Sequence, residues 1–347
     1  MLYRSIIRPL LFRMDAEHTH HFVSILLKVA FILPGLSWCF RHVFTVKHPA
    51  LEREVFGLKF PNPVGVAAGF DKNATLFNEL SGLGFGFVEI GTVTPKAQAG
   101  NPKPRLFRLP ADQGLINRMG FNNLGLPQAI HRLKKRNTHA LIGGNLGKNT
   151  LTPNIKAVED YANLFEGLFD WVDYFVVNVS CPNISDLREL QDQDALLEIL
   201  MRLQEINLRK ASPKPILLKI SPDLNKQQLD EVIEIVKETK IAGVVAINTS
   251  ISRNTLTTSA GRIQSIGKGG LSGKPLKKKA LELVQYLSEH SNKAFSIVGV
   301  GGIFNAEDAL AMLDAGADLV QVYSGFIYEG PFLAKRINKA ILRRYTK

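Results

Sequence analysis

Residues 295–325, FSIVGVGGIFNAEDALAMLDAGADLVQVYSG, contain two strand-forming runs on either side of one helix-forming segment. The runs FSIVGVG and LVQVY are rich in β-branched residues, and the segment AEDALAMLDAGA between them favours a helix. Strand, helix and strand in this order predict a βαβ unit whose two strands are parallel. The stretch therefore indicates an α/β fold.

Six earlier segments repeat the strand pattern, with helical segments between them. They are PVGVAA (63–68), FVEIG (87–91), ALIGGN (140–145), YFVVNVS (174–180), PILLKI (215–220) and GVVAIN (243–248). Eight such strands joined by crossovers predict an all-parallel sheet that is buried on both faces. A closed (β/α)8 TIM barrel over residues 46–347 fits that count, and a doubly wound open sheet is the alternative.

Residues 1–45 differ from the rest of the chain and predict a short α-helical arm. Residues 22–33, FVSILLKVAFIL, are apolar except for Ser24 and Lys28. A helix of that length spans ~18 Å, which is short of the ~30 Å hydrocarbon core of a bilayer. Together with the basic segment YRSIIRPLLFR before it, it predicts a membrane-associating arm or the wall of an apolar pocket. A cleaved signal peptide and ordinary helices packed on the main domain are the alternatives.

Composition limits the partners and the compartment. The chain has 43 Lys and Arg against 31 Asp and Glu, a net charge of +12, which suits an anionic partner. No RNA-binding signature accompanies the basic clusters, so we expect no nucleic-acid partner. Two cysteines, Cys39 and Cys181, are too few for a disulfide framework and indicate a reducing compartment. Cys39, in GLSWCF, is predicted to be a small buried apolar residue.

The active site of a TIM barrel lies at the C-terminal ends of its strands. The predicted ends carry two lysines, several amides and a thiol: Lys72, Thr92, Asn145, Asn178, Cys181, Lys219, Asn248 and Thr249. No cluster of His, Asp and Glu falls there, so we expect no metal site. The glycine-rich turns GVGG and YSG after strands seven and eight predict a phosphate site. Lys219 ends the apolar run PILLKI and therefore needs an anionic partner or an open mouth.

Cys181 stands in the stretch NVSCPN (178–183), directly after a strand end. Its polar neighbours favour a reactive thiol over a small buried hydrophobe. A nucleophilic cysteine would need a histidine base, and no histidine belongs to the predicted strand ends. General base is therefore the predicted role of Cys181.

Ordered motifs along almost the whole chain resemble the dihydroorotate dehydrogenase family, specifically its membrane-associated, quinone-linked branch. The motifs are LFRMDAEHTH, AAGFDK, EIGTVTPKAQAGNPKPRLFRL, INRMGFNN, NVSCPN, LLKISPDL, INTS, GGLSGKPL, GVGGI and LVQVYSGFIYEGP. The resemblance implies oxidation of dihydroorotate to orotate in pyrimidine biosynthesis. It also implies FMN as the hydride acceptor and a membrane quinone as the final electron acceptor.

The resemblance further implies which residues form the two binding sites. The expected FMN-binding residues are Ala68, Gly69, Phe70, Asp71, Lys72, Thr92, Asn145, Asn178, Lys219, Gly273, Gly302, Tyr323 and Ser324. The expected substrate-binding residues are Lys72, Asn117, Arg118, Met119, Gly120, Phe121, Asn178, Asn183, Asn248 and Thr249. Amide side chains both donate and accept hydrogen bonds, which suits a ring with alternating carbonyl and N–H groups.

Cys181 falls where the family carries the base that removes a proton from C5 of dihydroorotate. The quinone-linked branch usually has serine there, followed three residues later by threonine. This chain has Cys181 and Ile184, and cysteine is typical of the soluble branch. A thiol with an ordinary pKa of ~8.5 is partly ionised near neutral pH, whereas a serine hydroxyl is not.

The arm is similar to the passage by which quinone reaches the flavin in the membrane branch. Matching positions place His20, Arg108 and Tyr323 near the quinone head. The resemblance implies peripheral association with the cytoplasmic side of the cell membrane and no obligate protein partner. The alternatives are a soluble, fumarate-linked enzyme, an FMN-dependent tRNA dihydrouridine synthase and a non-enzymatic phosphate-binding barrel.

Overall fold

Eight parallel strands form a closed barrel in the structure, a computed structural model that describes residues 2–180 and 193–346. With all strands numbered in chain order, the barrel strands are β3 (Val64–Asp71), β4 (Phe87–Val93), β7 (Leu141–Leu146), β8 (Tyr174–Asn178), β9 (Ile216–Ile220), β10 (Gly243–Ala246), β12 (Ser296–Val300) and β13 (Leu319–Val322). Their order around the barrel is β10, β12, β13, β3, β4, β7, β8 and β9. The predicted (β/α)8 TIM barrel is confirmed, and the open sheet is excluded.

Helices cover the outside of the barrel. They are α4 (Phe77–Gly82), α5 (Gly125–Leu133), α6 (Ala157–Leu168), α7 (Gln193–Leu208), α8 (Lys226–Thr239), α10 (Lys277–His290), α11 (Ala306–Asp314) and α13 (Leu333–Tyr345). Helix α6 shows why they pack: Tyr161, Leu164, Phe165 and Leu168 recur at helical spacing and are all buried. Each such side chain contributes roughly 1.5–3 kcal/mol by leaving water. The helices therefore hold the barrel by one shared apolar core.

The interior of the barrel is apolar at its N-terminal end. Val176, Leu217, Val245 and Val298 fill this layer and are almost completely buried. A hairpin of β1 (Arg53–Val55) and β2 (Leu58–Phe60) covers it, and Phe60 meets the Phe87 ring edge-on at 5.3 Å. The filled end leaves open space at the C-terminal ends of the strands, where the polar residues are.

A three-stranded antiparallel sheet, which was not predicted, lies over the mouth of the barrel. Its strands are β5 (Leu106–Leu109), β6 (Gly114–Asn117) and β11 (Gly270–Gly273), and two short helices lie near it, α9 (Ala260–Ile266) and α12 (Ser324–Glu329). The pairing of Asn117 with Gly270 joins residues that are far apart in the chain. The sheet carries Asn117 and the residues after it to the mouth.

Asp112, in the turn between β5 and β6, binds the segment that leads into α9. Its carboxylate accepts bonds from the backbone N–H and hydroxyl of Thr257, at 2.6 and 2.7 Å, and from the same two groups of Thr258. Burial opposes ionisation of Asp112, but the bonds from Thr258 and Thr257 outweigh it and lower the carboxyl pKa. The ionised form is therefore stabilised by folding.

We expect Asp112→Ala to lower the free energy of unfolding by roughly 2–4 kcal/mol at pH 7, because several bonds to a charged group are lost. Since the folded pKa is depressed, this stability is fully present above the unfolded value of ~3.9 and is lost as pH falls through the folded pKa. Urea unfolding of both proteins at pH 7 and near pH 3 measures it. An equal difference at both pH values would contradict the assignment.

Three helices form the predicted arm: α1 (Arg8–Leu11), which a π-helical turn (Tyr3–Ile7) precedes, α2 (Ala16–Ile32) and α3 (Leu36–Phe44). Asp15 caps the N-terminus of helix α2, and its side chain accepts from the N–H groups of Glu17 and His18. Among the described residues no single helix is both long and apolar enough to cross a bilayer. Helices α2 and α3 reach that length and composition only as a pair, which is bent by 110°.

The arm exposes apolar side chains and contains one wrong prediction. Ile32 and Trp38 are 80% and 66% exposed, and much of the outer face of α2 is similar. Cys39 is exposed and not buried as predicted. The helical period explains this, because α3 packs on the barrel through Phe40 and Phe44, four residues apart, which turns Cys39 outward. Helix α3 ends at Phe44, beside the predicted domain boundary at residue 45, and that boundary remains a prediction.

Candidate active site

A cavity of about 1040 Å3, its open mouth included, lies at the C-terminal ends of the barrel strands. Sixteen residues predicted for the two sites line it: Ala68, Gly69, Lys72, Thr92, Asn117, Met119, Gly120, Phe121, Asn178, Lys219, Asn248, Thr249, Gly273, Gly302, Tyr323 and Ser324. A more open hollow at the opposite end of the barrel has none of these residues in its lining. The predicted site residues thus converge at one place.

Lys219 lies at the floor of the cavity, at the end of β9, and is almost completely buried. Its ammonium contacts the carboxylate of Glu89, which is fully buried on β4, with Nζ and Oε1 at 3.3 Å. Asn145 and Gln321 donate to the same carboxylate at 2.7 and 2.6 Å. The anionic partner that Lys219 required is therefore Glu89, which sequence reasoning missed. The carboxylate inside the apolar run FVEIG was the available signal.

A chain of amide side chains leads from the floor to the mouth. The amide oxygen of Asn145 accepts from the hydroxyl of Thr92 at 2.6 Å and from the amide of Asn178 at 3.2 Å. Asn248 donates to Asn178 Oδ1 at 3.2 Å and to the hydroxyl of Ser180 at 3.0 Å. These bonds fix the orientation of the amide planes; Asn178 and Asn248 line the cavity, whereas Asn145 is fully buried outside its lining. Such an arrangement suits recognition of a planar, polar ring.

The turns after β12 and β13 contain two glycines that have no room for a side chain. A Cβ on Gly325 would lie 1.9 Å from the carbonyl oxygen of Ile303, and one on Gly302 would lie 2.4 Å from the Cα of Lys277. Gly302 also has φ +70°, which favours glycine. The hydroxyls of Ser272 and Ser324 lie 2.9 Å apart beside these turns. Bare backbone and paired hydroxyls suit an anion such as phosphate.

Gly325→Ala is expected to cost about 3 kcal/mol or more of unfolding free energy. Overpacking costs ~1–3 kcal/mol even when neighbours can move, and the obstructing atom here is a backbone oxygen. The matched control is Gly261→Ala in α9, where no heavy atom lies within 4 Å of the added Cβ. Chemical unfolding measures the stability of both variants. Equal free energies of unfolding would show that Gly325 has room for a side chain beside the Ile303 carbonyl.

The rim of the cavity is formed by Lys72 and by the loop after β6. The ammonium of Lys72 donates to Asn122 Oδ1 at 2.7 Å. Gly120 has φ +70° and no room for a Cβ beside Asn101. The guanidinium of Arg118 is not part of the lining; it donates to the carbonyl oxygen of Lys268 at 3.2 Å and stacks on the Phe107 ring at 4.6 Å. The contacts of Arg118 therefore hold this loop in place.

Phe70 and Asp71 also lie outside the lining. The carboxylate of Asp71 accepts from the N–H groups of Thr75 and Leu76 at 2.6 and 2.8 Å, and burial raises its pKa. Asp71 thus shapes the loop after β3. Phe70 faces the arm, where its ring meets the His20 ring edge-on at 5.0 Å.

An aromatic contact path joins the arm to the cavity. Beyond His20, the Phe70 ring lies 5.7 Å from that of Tyr323, whose hydroxyl donates to the carbonyl of Gly69 at 3.3 Å. Burial, with smaller effects from nearby cations, lowers the pKa of His20 to about 4, so its imidazole is neutral at pH 7. Arg108 is on the same side and donates to the carbonyl of Met14 at 2.6 Å. The three predicted quinone-site residues therefore lie where arm and barrel meet.

Cys181 and Asn183 lie outside the described residues, so their roles remain predictions; Ser180, the last described residue before them, donates to the Lys219 carbonyl at 2.8 Å. Over residues 2–180 and 193–346, no group of three or more His, Cys, Asp or Glu side chains could hold a metal ion.

Comparison with known proteins places the chain in a family. The family model for dihydroorotate dehydrogenase matches residues 50–344. A protein named dihydroorotate dehydrogenase (quinone) from Christiangramia forsetii is 59% identical over 343 residues, which cover 99% of each chain. A protein of the same name from Gloeobacter violaceus is 48% identical, over 100% of this chain and 95% of its own.

Solved structures agree with the sequence comparison. The structure of a DHODH from Eimeria tenella in complex with ferulenol superposes with a TM-score of 0.83 at 32% identity, covering 97% of this chain and 95% of that one. The ligand-free form from the same organism gives 0.80 at 35% identity, covering 90% and 95%. The family expected from the motifs is confirmed. The chain belongs to the dihydroorotate dehydrogenase family.

Proposed function

We propose that this chain oxidises (S)-dihydroorotate to orotate and passes the electrons to a quinone, the redox step of de novo pyrimidine biosynthesis. The observation that carries the proposal is the full-length identity to relatives named dihydroorotate dehydrogenase (quinone), which extends through the arm as well as the barrel. A soluble, fumarate-linked enzyme would not need the exposed apolar face of the arm. The full-length match likewise disfavours a tRNA dihydrouridine synthase and a non-enzymatic barrel.

Members of this family are flavin-dependent, and FMN is the flavin that we propose for the cavity. Gly302 and Gly325 line the cavity with bare backbone, and the paired hydroxyls of Ser272 and Ser324 lie in the same lining, which suits a phosphate. Buried Lys219 at the floor supplies a positive charge beside the place for the ring. When bound, FMN would supply a two-electron acceptor for hydride. The chain's own residues would hold the phosphate at the turns and the ring along Ala68, Thr92, Asn145 and Lys219.

The substrate would lie against the opposite, amide-lined part of the cavity. Asn178 and Asn248, held by their mutual bond, and Asn117 on β6 offer donors and acceptors to a ring with alternating carbonyl and N–H groups. Lys72 at the rim supplies a cation for the substrate carboxylate. These residues would orient the reacting carbons and exclude water, while a base removes the C5 proton.

Cys181 is the proposed base, and replacement by serine tests it. A thiolate forms near neutral pH far more readily than an alkoxide, so we expect Cys181→Ser to move the pH profile of flavin reduction to higher pH and to lower the rate at pH 7 by ~10²-fold or more. Anaerobic mixing with dihydroorotate, followed through the flavin absorbance, measures it. An unchanged profile would remove Cys181 from the reaction. Cys39→Ser, at the exposed thiol of α3, is the control and should leave the profile as it is.

Quinone would reach the flavin between the arm and the barrel, near His20, Arg108 and Tyr323. The proposal rests on the position of these residues at the arm–barrel contact and on the aromatic path to the cavity. The exposed apolar face of α2 and α3 would hold the protein peripherally on the cytoplasmic side of the cell membrane, without an obligate protein partner. Flotation with anionic lipid vesicles tests the attachment, and a protein that stays at the bottom of the gradient would contradict it.

A further inference from the structure

Glu89 is a carboxylate in the centre of the barrel that belongs to neither predicted site. It stands in the middle of β4, between apolar residues, and its exposed fraction is 0%. It does not line the cavity. Burying an ionised carboxylate is costly unless it is paired and hydrogen-bonded. Its partners therefore indicate what the position is for.

Glu89 receives three hydrogen bonds, one from each of three other strands. Oε1 accepts from Lys219 at 3.3 Å and from Asn145 at 2.7 Å, and Oε2 accepts from Gln321 at 2.6 Å. An ionised carboxylate can only accept. Each of the three partners must therefore turn a donor toward Glu89.

This requirement is transmitted through the amide chain. Because Asn145 turns its NH2 to Glu89, its oxygen faces Thr92 and Asn178. Asn178 must then donate toward Asn145, which leaves its own oxygen for Asn248. One buried acceptor thus fixes the orientation of Asn145 and, through it, that of Asn178 and Asn248, which line the cavity.

The pair also decides the charge at the cavity floor. Lys219 lines the cavity, and Glu89 is the carboxylate it contacts in the part of the chain that the structure describes. A negative charge at 3.3 Å from the ammonium opposes its field at the cavity. A group that gains electrons above Lys219 therefore experiences the pair and not a bare cation.

We propose that Glu89 is a positioning residue that sets the reduction potential of the bound flavin. It acts through Lys219, whose ammonium it holds and whose charge it offsets, and through Asn145, whose amide it orients. The inference rests on the proposed function, because it requires a flavin in the cavity. It predicts that removing the charge of Glu89 makes the flavin easier to reduce.

Glu89→Gln is a clean way to remove that charge. The glutamine keeps an oxygen for Asn145 and Lys219, and its new NH2 would face Gln321. Gln321 can accept it, because its Oε1 is buried and has no hydrogen-bond partner within residues 2–180 and 193–346. A 180° rotation of the Gln321 amide group places that oxygen opposite the new NH2 at position 89. The substitution therefore changes the charge while the hydrogen bonds can be kept.

The test is the midpoint potential of the flavin in the holoenzyme, measured by reductive titration against a reference dye. We expect Glu89→Gln to raise the ratio of reduced to oxidised flavin at fixed poise at least tenfold, a positive shift of about 30 mV for two electrons. The control is Glu329→Gln, a buried carboxylate bound by Arg4 and Arg336 outside the cavity lining. Its potential should equal that of the native protein.

A Glu89→Gln potential equal to or below the native one would overturn the inference. If this variant does not retain flavin, the midpoint potential of Glu89→Asp is measured instead. Aspartate keeps the negative charge, but its side chain is one methylene shorter, so the charge lies farther from Lys219. A smaller positive shift is then expected, and no shift or a negative shift would be the contrary result. The native protein is titrated first, and a native protein that binds no flavin would defeat the proposed function itself.

Discussion

We expect Lys219→Met to lose the flavin and roughly 3–5 kcal/mol of unfolding free energy. The ammonium of Lys219 lies 3.3 Å from the fully buried carboxylate of Glu89, and its removal leaves that charge without a counter-ion inside the barrel. The same substitution removes the cation at the cavity floor. Flavin content per chain and urea unfolding of the apoprotein measure the two effects separately.

The control is the double variant Glu89→Gln/Lys219→Met, which removes both charges. Breaking a buried pair costs far more than replacing both partners, so the double variant should recover most of the lost stability while the flavin content stays low. If the double variant is less stable than Lys219→Met, the two side chains do not act as a pair. A single variant that unfolds like the native protein would also contradict the account.

We expect Glu17→Met to uncouple the arm from the barrel. Glu17 on α2 and Arg105 before β5 form a buried, two-point ion pair, with Nη2–Oε1 at 2.7 Å and Nε–Oε2 at 3.1 Å. The other Arg105 donor, Nη1, binds the carbonyls of Ala99 and Asn101 at 2.7 and 2.8 Å. In the variant, the guanidinium of Arg105 is buried without its carboxylate when the arm docks. We expect this to lower the free energy of arm docking by about 3–5 kcal/mol.

The expected result is a loss of quinone turnover by ~10²-fold, while dihydroorotate still reduces the flavin. A loss of about 3–5 kcal/mol lowers the docking equilibrium constant by two or more decades. Steady-state quinone reduction and single-turnover flavin bleaching separate the two half-reactions. The control is His18→Gln, on the same helix but exposed, which should change neither. If the rates of both half-reactions fall equally, the Glu17–Arg105 pair stabilises the barrel and not the docking of the arm.

The pH dependence of arm docking follows from the same pair. Burial raises the pKa of Glu17, but the hydrogen bond and charge of Arg105 outweigh it, and the carboxyl pKa is lowered. A depressed folded pKa means that the stabilisation is present above the unfolded value of ~4.3 and is lost as pH falls through the folded one. The contribution of this pair to arm docking is therefore fully present at neutral pH.

The sequence was sufficient for the barrel because its signal is repeated and local. Each strand is a short β-branched run, and each is followed by a helical segment, so the count of eight could be read directly. The site residues followed from the strand ends, since the ends of parallel strands converge. The ends of the strands were predicted less exactly: β3 extends to Asp71, beyond the predicted PVGVAA.

The features that were missed depend on contacts between distant residues. Strands β5, β6 and β11 have four residues each, and β11 pairs with β6 across more than 150 positions. Such pairing has no local signature. The partnership of Glu89 with Lys219 is of the same kind, since both carboxylate and ammonium were visible as charges in apolar strands, but only closure of the barrel brings them together.

The most direct test of the central claim is anaerobic mixing of the purified holoenzyme with dihydroorotate, followed by addition of a quinone or of fumarate. We expect dihydroorotate to bleach the flavin, quinone to restore its absorbance rapidly, and fumarate to do so at least ~10²-fold more slowly. Flavin that stays yellow with dihydroorotate, yet bleaches with dithionite, would show that the substrate is wrong. Rapid reoxidation by fumarate alone would contradict the proposed role of the arm.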